Sequence, residues 1–571
     1  MIETKLRPIQ EKIIQKIQAA IDSGKTDIFI QAPTGTGKGL ISLSLASGFN
    51  SYLLTSEKSL QQQYEDDINK FTGFDEVKSI CGTDTYKCNL NNEKFSLGVC
   101  RSLGLSNQDA MKLPCAENCQ YLQRWKAASA APQSVMNYSY FLVQMNYVLE
   151  QYEENAPFNK REIVICDEAH KLPDIIESHF ACTIDLKIID QITRTLHILQ
   201  GGNLMRDPIE TQPLFDQIIA IIELKKDVHE EIYLKELRRL TSKYAEFLQN
   251  INVLKSQLAR QFLSKSGSSK DLEKKAKKLP REVRNLLSLA DNIKDRHCKI
   301  EDYVNHIAEH GAHNLIVDSS SYQSKTFHNL SDENLFRKHF ERFSDVRIYL
   351  SATLQPDLLI KRWGIDPKKA AVMFVDSEWD DAKSRVVLCN TANMSYANTE
   401  NSMRDIVRKI NELMVKHKDD RGVIHTTSNA ITEDICSNIH KSLYCRLVRY
   451  STTAEKMEIL STWDKYPPDA VLIGPSLTTG IDLSDDLARF NIIVKLSYPN
   501  MGSALWAKRA KLLPHIYVGE TASVLEQAAG RTTRSISDSS RIYVLDSRAE
   551  KFMLQNQKYF SPSFLKRVRN E

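Results

Sequence analysis

The chain has 571 residues and is 42% hydrophobic and 26% charged, which predicts a globular protein of three or four domains. No run reaches the roughly 18 apolar residues of a membrane-spanning helix, and the N-terminus lacks a signal-peptide core, so we expect no membrane contact. The protein should therefore work in the cytoplasm, at the nucleoid or, if it is viral, in the host cytoplasm. Its net charge of +4 is too small to indicate nucleic-acid binding, so any basic surface must be local.

The first informative segment is a glycine-rich loop between an apolar run, Ile28–Ile30, and a predicted helix. In such a loop, backbone N–H groups converge on phosphate oxygens, and a lysine reaches the β- and γ-phosphates. These features predict a site for a nucleoside triphosphate. The loop consists of Ala32, Pro33, Thr34, Gly35, Thr36, Gly37, Lys38 and Gly39.

The loop departs from the usual pattern at Gly39, where a serine or threonine hydroxyl normally ligates Mg²⁺. A water molecule or another protein oxygen must fill that position if the loop is active. Thr36 and Ser42 carry the nearest hydroxyl groups in sequence. The alternative is a degenerate, inactive loop.

Five of the eleven cysteines lie close together after the second predicted strand, Ser51–Leu54. A disulfide framework is not expected in a large cytosolic protein, so the cluster needs another explanation, and a metal site is the one favoured. Only Cys115 and Cys119 have the short spacing of a zinc knuckle, so spacing leaves an iron–sulfur cluster and a structural Zn²⁺ open. The clustered cysteines are Cys81, Cys88, Cys100, Cys115 and Cys119.

Two further predicted strands follow, Ser134–Met136 and Ile163–Cys166, and the second leads directly into Asp167 and Glu168. A carboxylate at the C-terminal end of a parallel strand is placed to meet a nucleotide-bound Mg²⁺. A phosphate loop followed by this acidic pair favours a nucleotide-hydrolysing motor over a degenerate loop.

Residues 172–345 are rich in Leu, Lys and Glu at helical spacing, which predicts a helical insert before the next strand, Val346–Leu350. Within this insert, Ser264–Lys270 has the composition of a flexible loop. The basic run Lys274–Arg284 fits either a solvated helix face or a contact with nucleic-acid phosphates.

A second block of alternating strands and helices begins near Arg385. Near-continuous apolar strands between helices indicate parallel sheets that are covered on both faces, so the two blocks predict two α/β lobes. The strands predicted in the second block are Arg385–Cys389, Gly422–His425, Arg446–Tyr450, Ala470–Ile473, Ile492–Leu496 and Ile542–Leu545.

Two segments of the second block are expected to reach the cleft between the lobes. The first contains Asp482, shortly after a predicted strand. In the second, Gln527, Arg531 and Arg534 would share one face of a helix at i, i+4 and i+7. An arginine that reaches the γ-phosphate across the cleft stabilises transition-state charge and can raise the rate by roughly 10³–10⁵.

The ordered motifs resemble those of superfamily 2 helicases. The insert with the clustered cysteines and the helical insert after Glu168 are similar to those of the DinG/XPD-like iron–sulfur DNA helicases, and the resemblance extends over nearly the whole chain. The motifs that carry it are the glycine-rich loop, Asp167–His170, Ser351–Leu354, Gly474–Leu483 and Gln527–Arg534.

This resemblance implies an α/β fold of two RecA-like parallel-sheet lobes, with a small iron–sulfur insert and a helical arch insert in the first lobe. The first lobe would comprise residues 1–71, 134–171 and 346–376, and the second lobe residues 377–571. The iron–sulfur domain would span residues 72–133 and the arch domain residues 172–345.

The resemblance also implies ATP-driven 5′→3′ translocation on single-stranded DNA by a monomer, with unwinding of forked duplexes or DNA–RNA hybrids. The implied cofactors are ATP, Mg²⁺ and a 4Fe–4S cluster, with Zn²⁺ as the alternative to the cluster. Two other activities stay open: a translocase that strips proteins or RNA from DNA, and a nucleotide-gated clamp that has lost hydrolysis. The sequence does not reveal a recruiting partner.

The matched motifs further imply a role for each candidate residue. The implied cluster ligands are Cys88, Cys100, Cys115 and Cys119, with Cys81 as a bystander or a replacement ligand. The other implied roles are adenine contact for Gln10, phosphate contact for Gly37 and Lys38, Mg²⁺ binding for Asp167, placement of the attacking water for Glu168, and γ-phosphate contact for Arg531 and Arg534.

Overall fold

The apolar runs form two seven-stranded sheets and one three-stranded sheet in the computed structural model. The structure describes residues 5–33, 35–102, 105–148, 156–205, 207–225, 228–263, 280–376, 382–475, 477, 483, 485–532 and 539–571. In chain order the strands are β1 (Asp27–Gln31), β2 (Ser51–Thr55), β3 (Val77–Ser79), β4 (Gln133–Asn137), β5 (Arg161–Asp167), β6 (Cys182–Asp185), β7 (Leu315–Ser321), β8 (Ser324–Asn329), β9 (Ser344–Ser351), β10 (Ala370–Phe374), β11 (Val386–Ala392), β12 (Gly422–Thr426), β13 (Leu447–Arg449), β14 (Val471–Pro475), β15 (Phe490–Ile493), β16 (Arg541–Asp546) and β17 (Val568–Asn570).

Helices connect these strands. The described helices include none with the length and apolar character that crossing a bilayer requires. The longer helices are Pro8–Asp22, Lys38–Ser47, Lys58–Lys70, Gln120–Ala130, Tyr138–Val143, Leu172–Phe180, Lys187–Gly201, Gln212–Glu223, Glu230–Leu263, Arg281–His310, Glu333–His339, Pro356–Arg362, Thr399–Lys416, Asn429–Asn438, Thr453–Ser461, Ala504–Leu512, Pro514–Ala529, Arg548–Gln555 and Pro562–Arg567.

The two large sheets are parallel throughout their described pairings. The first has the strand order β10-β1-β9-β5-β2-β4-β3, and the second has the order β13-β14-β12-β15-β16-β11-β17. Strands β1, β2 and β12 are buried along their whole length, as expected of parallel sheets that are covered on both faces. The predicted fold class, two parallel-sheet α/β lobes, is confirmed.

Every strand predicted from an apolar run is present, with small shifts at the ends. The helical insert contains, in addition to helices, an antiparallel sheet of order β6-β8-β7 that the sequence did not predict. These strands lack an apolar signal because the inward positions of β8 include Lys325 and Asn329 as well as Phe327. The predicted loop Ser264–Lys270 and most of the basic run Lys274–Arg284 lie outside the described residues.

The two lobes meet where the helix Pro356–Arg362 packs against the helix Pro514–Ala529. The Gln355 amide donates hydrogen bonds of 2.9 Å to the carbonyl oxygens of Gly519 and Tyr559. A Cβ atom on Gly519 would lie only 2.4 Å from the Leu358 side chain, so this close approach requires glycine. The contact therefore fixes one helix of each lobe against the other.

A buried ionic network lies beside this contact. The Arg362 guanidinium is fully buried and pairs with Asp332 at 2.7 Å, with Glu520 at 3.1 Å and with Glu177 at 3.6 Å. The equally buried Arg509 of the second lobe pairs with Glu177 at 2.6 Å. Because Glu177 lies in the first helix of the predicted helical insert, Leu172–Phe180, the network joins both lobes to the base of that insert.

We expect Asp332→Ala to lower the free energy of unfolding by about 3 kcal/mol, because it removes the closest partner of a guanidinium that has no access to water. Urea denaturation of the full chain measures this loss. Asp345→Ala is the matched control, since its pair with Lys160 is more than half exposed on both sides and should contribute less than about 1 kcal/mol. Equal losses in the two variants would contradict a structural role for the buried network.

Candidate functional site

The glycine-rich loop closes around the side chain of Gln10. Gly37 has a φ of 76°, and a Cβ atom there would lie 2.3 Å from Gln10 Nε2. That amide donates hydrogen bonds of 3.1 Å to the Thr36 carbonyl and 3.3 Å to the Gly37 carbonyl, and Gln10 is only 3% exposed. In this structure Gln10 therefore stabilises the backbone of the loop through these hydrogen bonds, and its predicted contact with adenine stays a prediction.

Other backbone contacts hold the rest of the loop. Gly35 also has a positive φ, 80°, and its carbonyl accepts a hydrogen bond of 2.8 Å from Arg7. The Ala32 N–H donates to the Ser351 carbonyl at 3.0 Å, which ties the loop to the end of β9. Lys38 begins the following helix and its ammonium group lies 3.4 Å from the Ala32 carbonyl, inside the curve of the loop. Thr34 lies outside the described residues.

The two predicted carboxylates lie at the end of β5, at the same edge of the sheet as the loop: Asp167 is the last residue of the strand and Glu168 follows it. Asp167 is 5% exposed, and one of its carboxylate oxygens accepts a hydrogen bond of 2.8 Å from the Tyr64 hydroxyl. The Tyr138 hydroxyl donates to the Asp167 carbonyl, also at 2.8 Å. Two buried phenols therefore fix both the side chain and the backbone of this residue.

Glu168 is held in an unusual backbone conformation. Its φ of 51° lies in the left-handed region, which a residue with a side chain adopts at an energetic cost and which often marks a functional site. His170 Nδ1 lies 3.2 Å from a Glu168 carboxylate oxygen and 2.7 Å from Ser351 Oγ. The carboxylate of Glu168 is thus oriented by a histidine of its own motif and a serine from the next one.

The electrostatic environments of the two carboxylates differ. Burial, reinforced by the charge of Glu168, raises the pKa of Asp167. Burial acts in the same direction on Glu168, but the hydrogen bond from His170 and the charge of Lys38 outweigh it, so the pKa of Glu168 is lowered. The environment of Glu168 therefore favours its ionised form, whereas that of Asp167 opposes ionisation.

The second lobe brings Gln527 and Arg531 to the opposite wall. The helix that carries Gln527 ends at Ala529, and Arg531 lies in a short 3₁₀ turn, Gly530–Thr532. The predicted continuous helical face is therefore wrong at Arg531, because the α-helix gives way to a 3₁₀ turn after Ala529. Asp482 and Arg534 lie outside the described residues.

These elements enclose one cleft of about 660 Å³ between the lobes. Its walls include loop residues Gly35, Gly37, Lys38 and Gly39 from the first lobe, the acidic pair Asp167 and Glu168, and Gln527 and Arg531 from the second lobe. Pro33 also lines it. A volume of this size is typical of a site for a nucleotide-sized ligand.

Sequence reasoning missed Glu526, which joins the lobes at the bottom of the cleft. It is 7% exposed, and burial raises its pKa to about 7. The Gln31 amide, at the end of β1, donates to the Glu526 carboxylate at 3.4 Å, and the Ser561 N–H donates to it at 3.2 Å. Its position beside Gln527 was the only available signal, because the contact with Gln31 is formed by residues far apart in sequence.

Two more missed residues lie beside Gly39, on the helix Lys58–Lys70. A Cβ atom on Gly39 would be 3.8 Å from an Asp67 carboxylate oxygen and 3.8 Å from the Tyr64 ring. Both side chains line the cleft. Sequence offers no sign of this arrangement, because an Asp and a Tyr three residues apart are ordinary on an amphipathic helix.

The four cysteines predicted as ligands share one small pocket in the insert after β3. Phe95 and Leu122 complete its apolar lining. Gly98 closes over it, since a Cβ atom there would lie 3.3 Å from Cys88 Sγ. The cysteines are Cys88, Cys100, Cys115 and Cys119, and Cys81 does not line the pocket.

Burial dominates the chemistry of these thiols. It raises the pKa of Cys100 to about 11 and also raises the pKa of Cys119. Among the described residues, no three Cys, His, Asp or Glu side chains are arranged to share one metal ion. The pocket thus gathers four cysteine side chains, and their role as metal ligands stays a prediction.

The chain is similar to two protein-family models and to a DNA helicase of Escherichia coli. The first part of the chain, residues 3–194, matches the family model for the type III restriction enzyme res subunit, and residues 411–566 match the helicase C-terminal domain. The ATP-dependent DNA helicase YoaA of Escherichia coli K12 is 21% identical over 606 residues, covering 95% of this chain and 92% of that protein.

Two solved structures align over nearly the entire length. The Xpd4 structure from S. tokodaii has a TM-score of 0.60 at 13% identity and covers 99% of this chain and 100% of its own. A structure described as an XPD helicase has the same TM-score at 16% identity and covers 100% of both chains. The chain therefore has a fold similar to that of these two XPD structures over its whole length. The predicted resemblance to DinG/XPD-like helicases is thereby confirmed.

The close approach at Gly37 tests whether this XPD-like cleft is a nucleotide site. We expect Gly37→Ala to weaken binding of a fluorescent ATP analogue by at least about tenfold, because the added methyl group would collide with Gln10 and its positive φ disfavours a side chain. Gly48→Ala is the control, since Gly48 has a φ of −84° and its nearest non-neighbouring atom is 3.5 Å away. Undiminished binding by Gly37→Ala would show that the loop does not hold the nucleotide.

Proposed function

We propose that this protein is an ATP-dependent DNA helicase of the DinG/XPD-like type. The observation that carries the proposal is the single cleft in which the glycine-rich loop, Asp167, Glu168 and Arg531 meet. The family matches on both sides of that cleft support it, as does the similarity to YoaA, whose name describes an ATP-dependent DNA helicase.

In the proposed reaction, the loop amides and Lys38 bind the triphosphate, and Glu168 orients the attacking water. Asp167 would hold the Mg²⁺ that neutralises charge on the phosphate oxygens when the nucleotide is bound. Arg531 would stabilise the negative charge that develops on the γ-phosphate. Because that arginine comes from the second lobe, hydrolysis is coupled to the closing of the cleft.

The link between Gln31 and Glu526 supplies a route for that coupling. It joins the last residue of β1, directly before the glycine-rich loop, to the helix before Arg531. A shift of the loop on hydrolysis would therefore act on the second lobe through a buried contact. Repeated closing and opening of the two lobes is the motion by which such a motor would step along a strand.

We propose that the cysteine pocket holds a 4Fe–4S cluster, with Zn²⁺ as the alternative. Its four cysteines would supply the four thiolates that such a cluster takes, and the cluster would stabilise the small insert. The ligand set Cys88, Cys100, Cys115 and Cys119 is part of this proposal.

The proposed substrate is single-stranded DNA that leads into a forked duplex or a DNA–RNA hybrid, with 5′→3′ movement as in the resembled family. A monomer would suffice, because one chain contributes both walls of the cleft. The protein would act in the cytoplasm or at the nucleoid, with the domain limits predicted from the sequence.

Glu168→Gln should lower ATP turnover by about 10²–10⁴-fold and leave ATP binding nearly intact, because it removes a carboxylate that orients water but not the groups that hold phosphate. A phosphate-release assay with and without single-stranded DNA measures this change. Glu162→Gln, an exposed position on the same strand, is the control and should keep wild-type turnover.

Strand displacement on forks with a 5′ or a 3′ tail then separates the candidate activities. The proposal predicts unwinding of the 5′-tailed fork by the wild-type protein and none by Glu168→Gln. DNA-stimulated turnover without displacement of either fork would favour a translocase that strips proteins or RNA. Nucleotide-dependent DNA binding without turnover would favour a clamp, and the helicase proposal would fail.

The cysteine pocket makes a separate prediction. Protein purified without air should contain about four iron atoms per chain and absorb near ~400 nm, as thiolate-ligated iron–sulfur centres do. Cys88→Ser should lose this absorbance and the unwinding activity, while Cys81→Ser, outside the pocket, should retain both. Stoichiometric zinc in protein made with ample iron would contradict the cluster.

A further inference from the structure

Gly39 lacks the hydroxyl group that normally ligates Mg²⁺ in a phosphate-binding loop, so we looked for another protein oxygen close to this position. Thr36 is buried and does not line the cleft, and its hydroxyl faces the Pro33 carbonyl, to which it donates a hydrogen bond of 2.6 Å. Ser42 is 0% exposed and does not line the cleft either. Neither hydroxyl that is close in sequence therefore faces the space in which a bound metal ion would lie.

Asp67 is the nearest oxygen to the space that a side chain on Gly39 would occupy. Its carboxylate oxygen lies 3.8 Å from the position of a Cβ atom on Gly39. Asp67 lines the same cleft as Lys38 and Asp167, and it forms no salt bridge with the basic side chains that the structure describes. Burial raises the pKa of Asp67, and the charge of Lys70 opposes this only in part.

Tyr64 links Asp67 to Asp167, the carboxylate proposed to hold Mg²⁺. Residues three apart on a helix share a face, so Tyr64 and Asp67 point to the same side of the helix Lys58–Lys70. The Tyr64 hydroxyl donates to Asp167, the carboxylate expected to hold Mg²⁺, and its ring borders the space at Gly39. The helix thus carries one group that orients Asp167 and one that adds a second carboxylate beside it.

We propose that Asp67 replaces the missing loop hydroxyl and, together with Asp167, holds the Mg²⁺ of the bound nucleotide, directly or through a water molecule. This inference rests on the proposed ATPase function. Mg²⁺ at nucleotide sites is typically bound by one or two carboxylates together with substrate phosphates and waters, so two aspartates complete an ordinary site.

This substitution of a carboxylate for a hydroxyl changes the charge of the site and has a measurable consequence. Without Mg²⁺, the Asp67 carboxylate repels the triphosphate, whereas with Mg²⁺ it attracts the metal–nucleotide complex. Asp67 therefore increases the dependence of nucleotide binding on Mg²⁺. A hydroxyl, which is neutral, would give a weaker dependence.

The test compares binding of a non-hydrolysable ATP analogue to the full-length protein in EDTA and in saturating Mg²⁺. For Asp67→Asn, the ratio of the two affinities should fall by about tenfold or more relative to wild type, as expected when a metal-binding contact is lost. Affinity in EDTA should stay equal or rise, because a negative charge is removed. Asp66→Asn, an exposed neighbour that changes the charge equally, should keep the wild-type ratio.

A second variant distinguishes a lost metal contact from local misfolding. Gly39→Ser in the Asp67→Asn background should restore part of the Mg²⁺ dependence, since a Cβ atom at Gly39 meets only ordinary van der Waals contacts. Equal ratios for Asp67→Asn and Asp66→Asn would overturn the inference while leaving the ATPase proposal intact. A wild-type protein that binds no nucleotide in either condition would overturn the proposed function and this inference with it.

Discussion

The alignment of the two lobes depends on charges that have no access to water. Arg362 and Arg509 are both fully buried, and they share Glu177 at the base of the helical insert. A buried guanidinium is tolerable only when carboxylates surround it, so each member of the network constrains the position of the others. Because the cleft has one wall from each lobe, the distance from Lys38 to Arg531 depends on this network.

The first-lobe wall of the cleft is closely constrained. Glycine at position 37, two buried phenols on Asp167 and the left-handed backbone of Glu168 leave the loop and the acidic pair little freedom. On the second lobe, Arg531 lies in a short 3₁₀ turn directly after a helix. Under the proposed function, the constrained wall would hold the nucleotide while Arg531 approaches it from the other lobe.

Sequence reasoning succeeded where a single chemical property decides the structure. The buried parallel strands were predictable because continuous apolar runs have few alternatives, and the glycine-rich loop because its φ angles need glycine. The sheet β6-β8-β7 was missed because its inward positions include Lys325 and Asn329. The predicted helix through Arg531 was wrong because a 3₁₀ turn replaces the α-helix after Ala529, a change that side-chain periodicity does not indicate.

The site was predictable only as far as its motifs extend. Lys38, Asp167 and Glu168 follow from local patterns, whereas Tyr64, Asp67 and Glu526 reach the cleft through contacts between segments distant in sequence. Contacts of this kind cannot be predicted from a local sequence pattern.

The cysteine insert also closes part of the first lobe. The Tyr121 hydroxyl lies 3.1 Å from the hydroxyl of Tyr140, and the Tyr121 ring packs against Phe95 at 4.2 Å. Tyr140 belongs to the same short helix as Tyr138, which bonds to the Asp167 backbone. Excision of the insert would remove the partner of the Tyr140 hydroxyl in the helix that also positions Asp167 at the end of β5. The insert is therefore part of the packing of the first lobe, and its loss would destabilise the lobe itself.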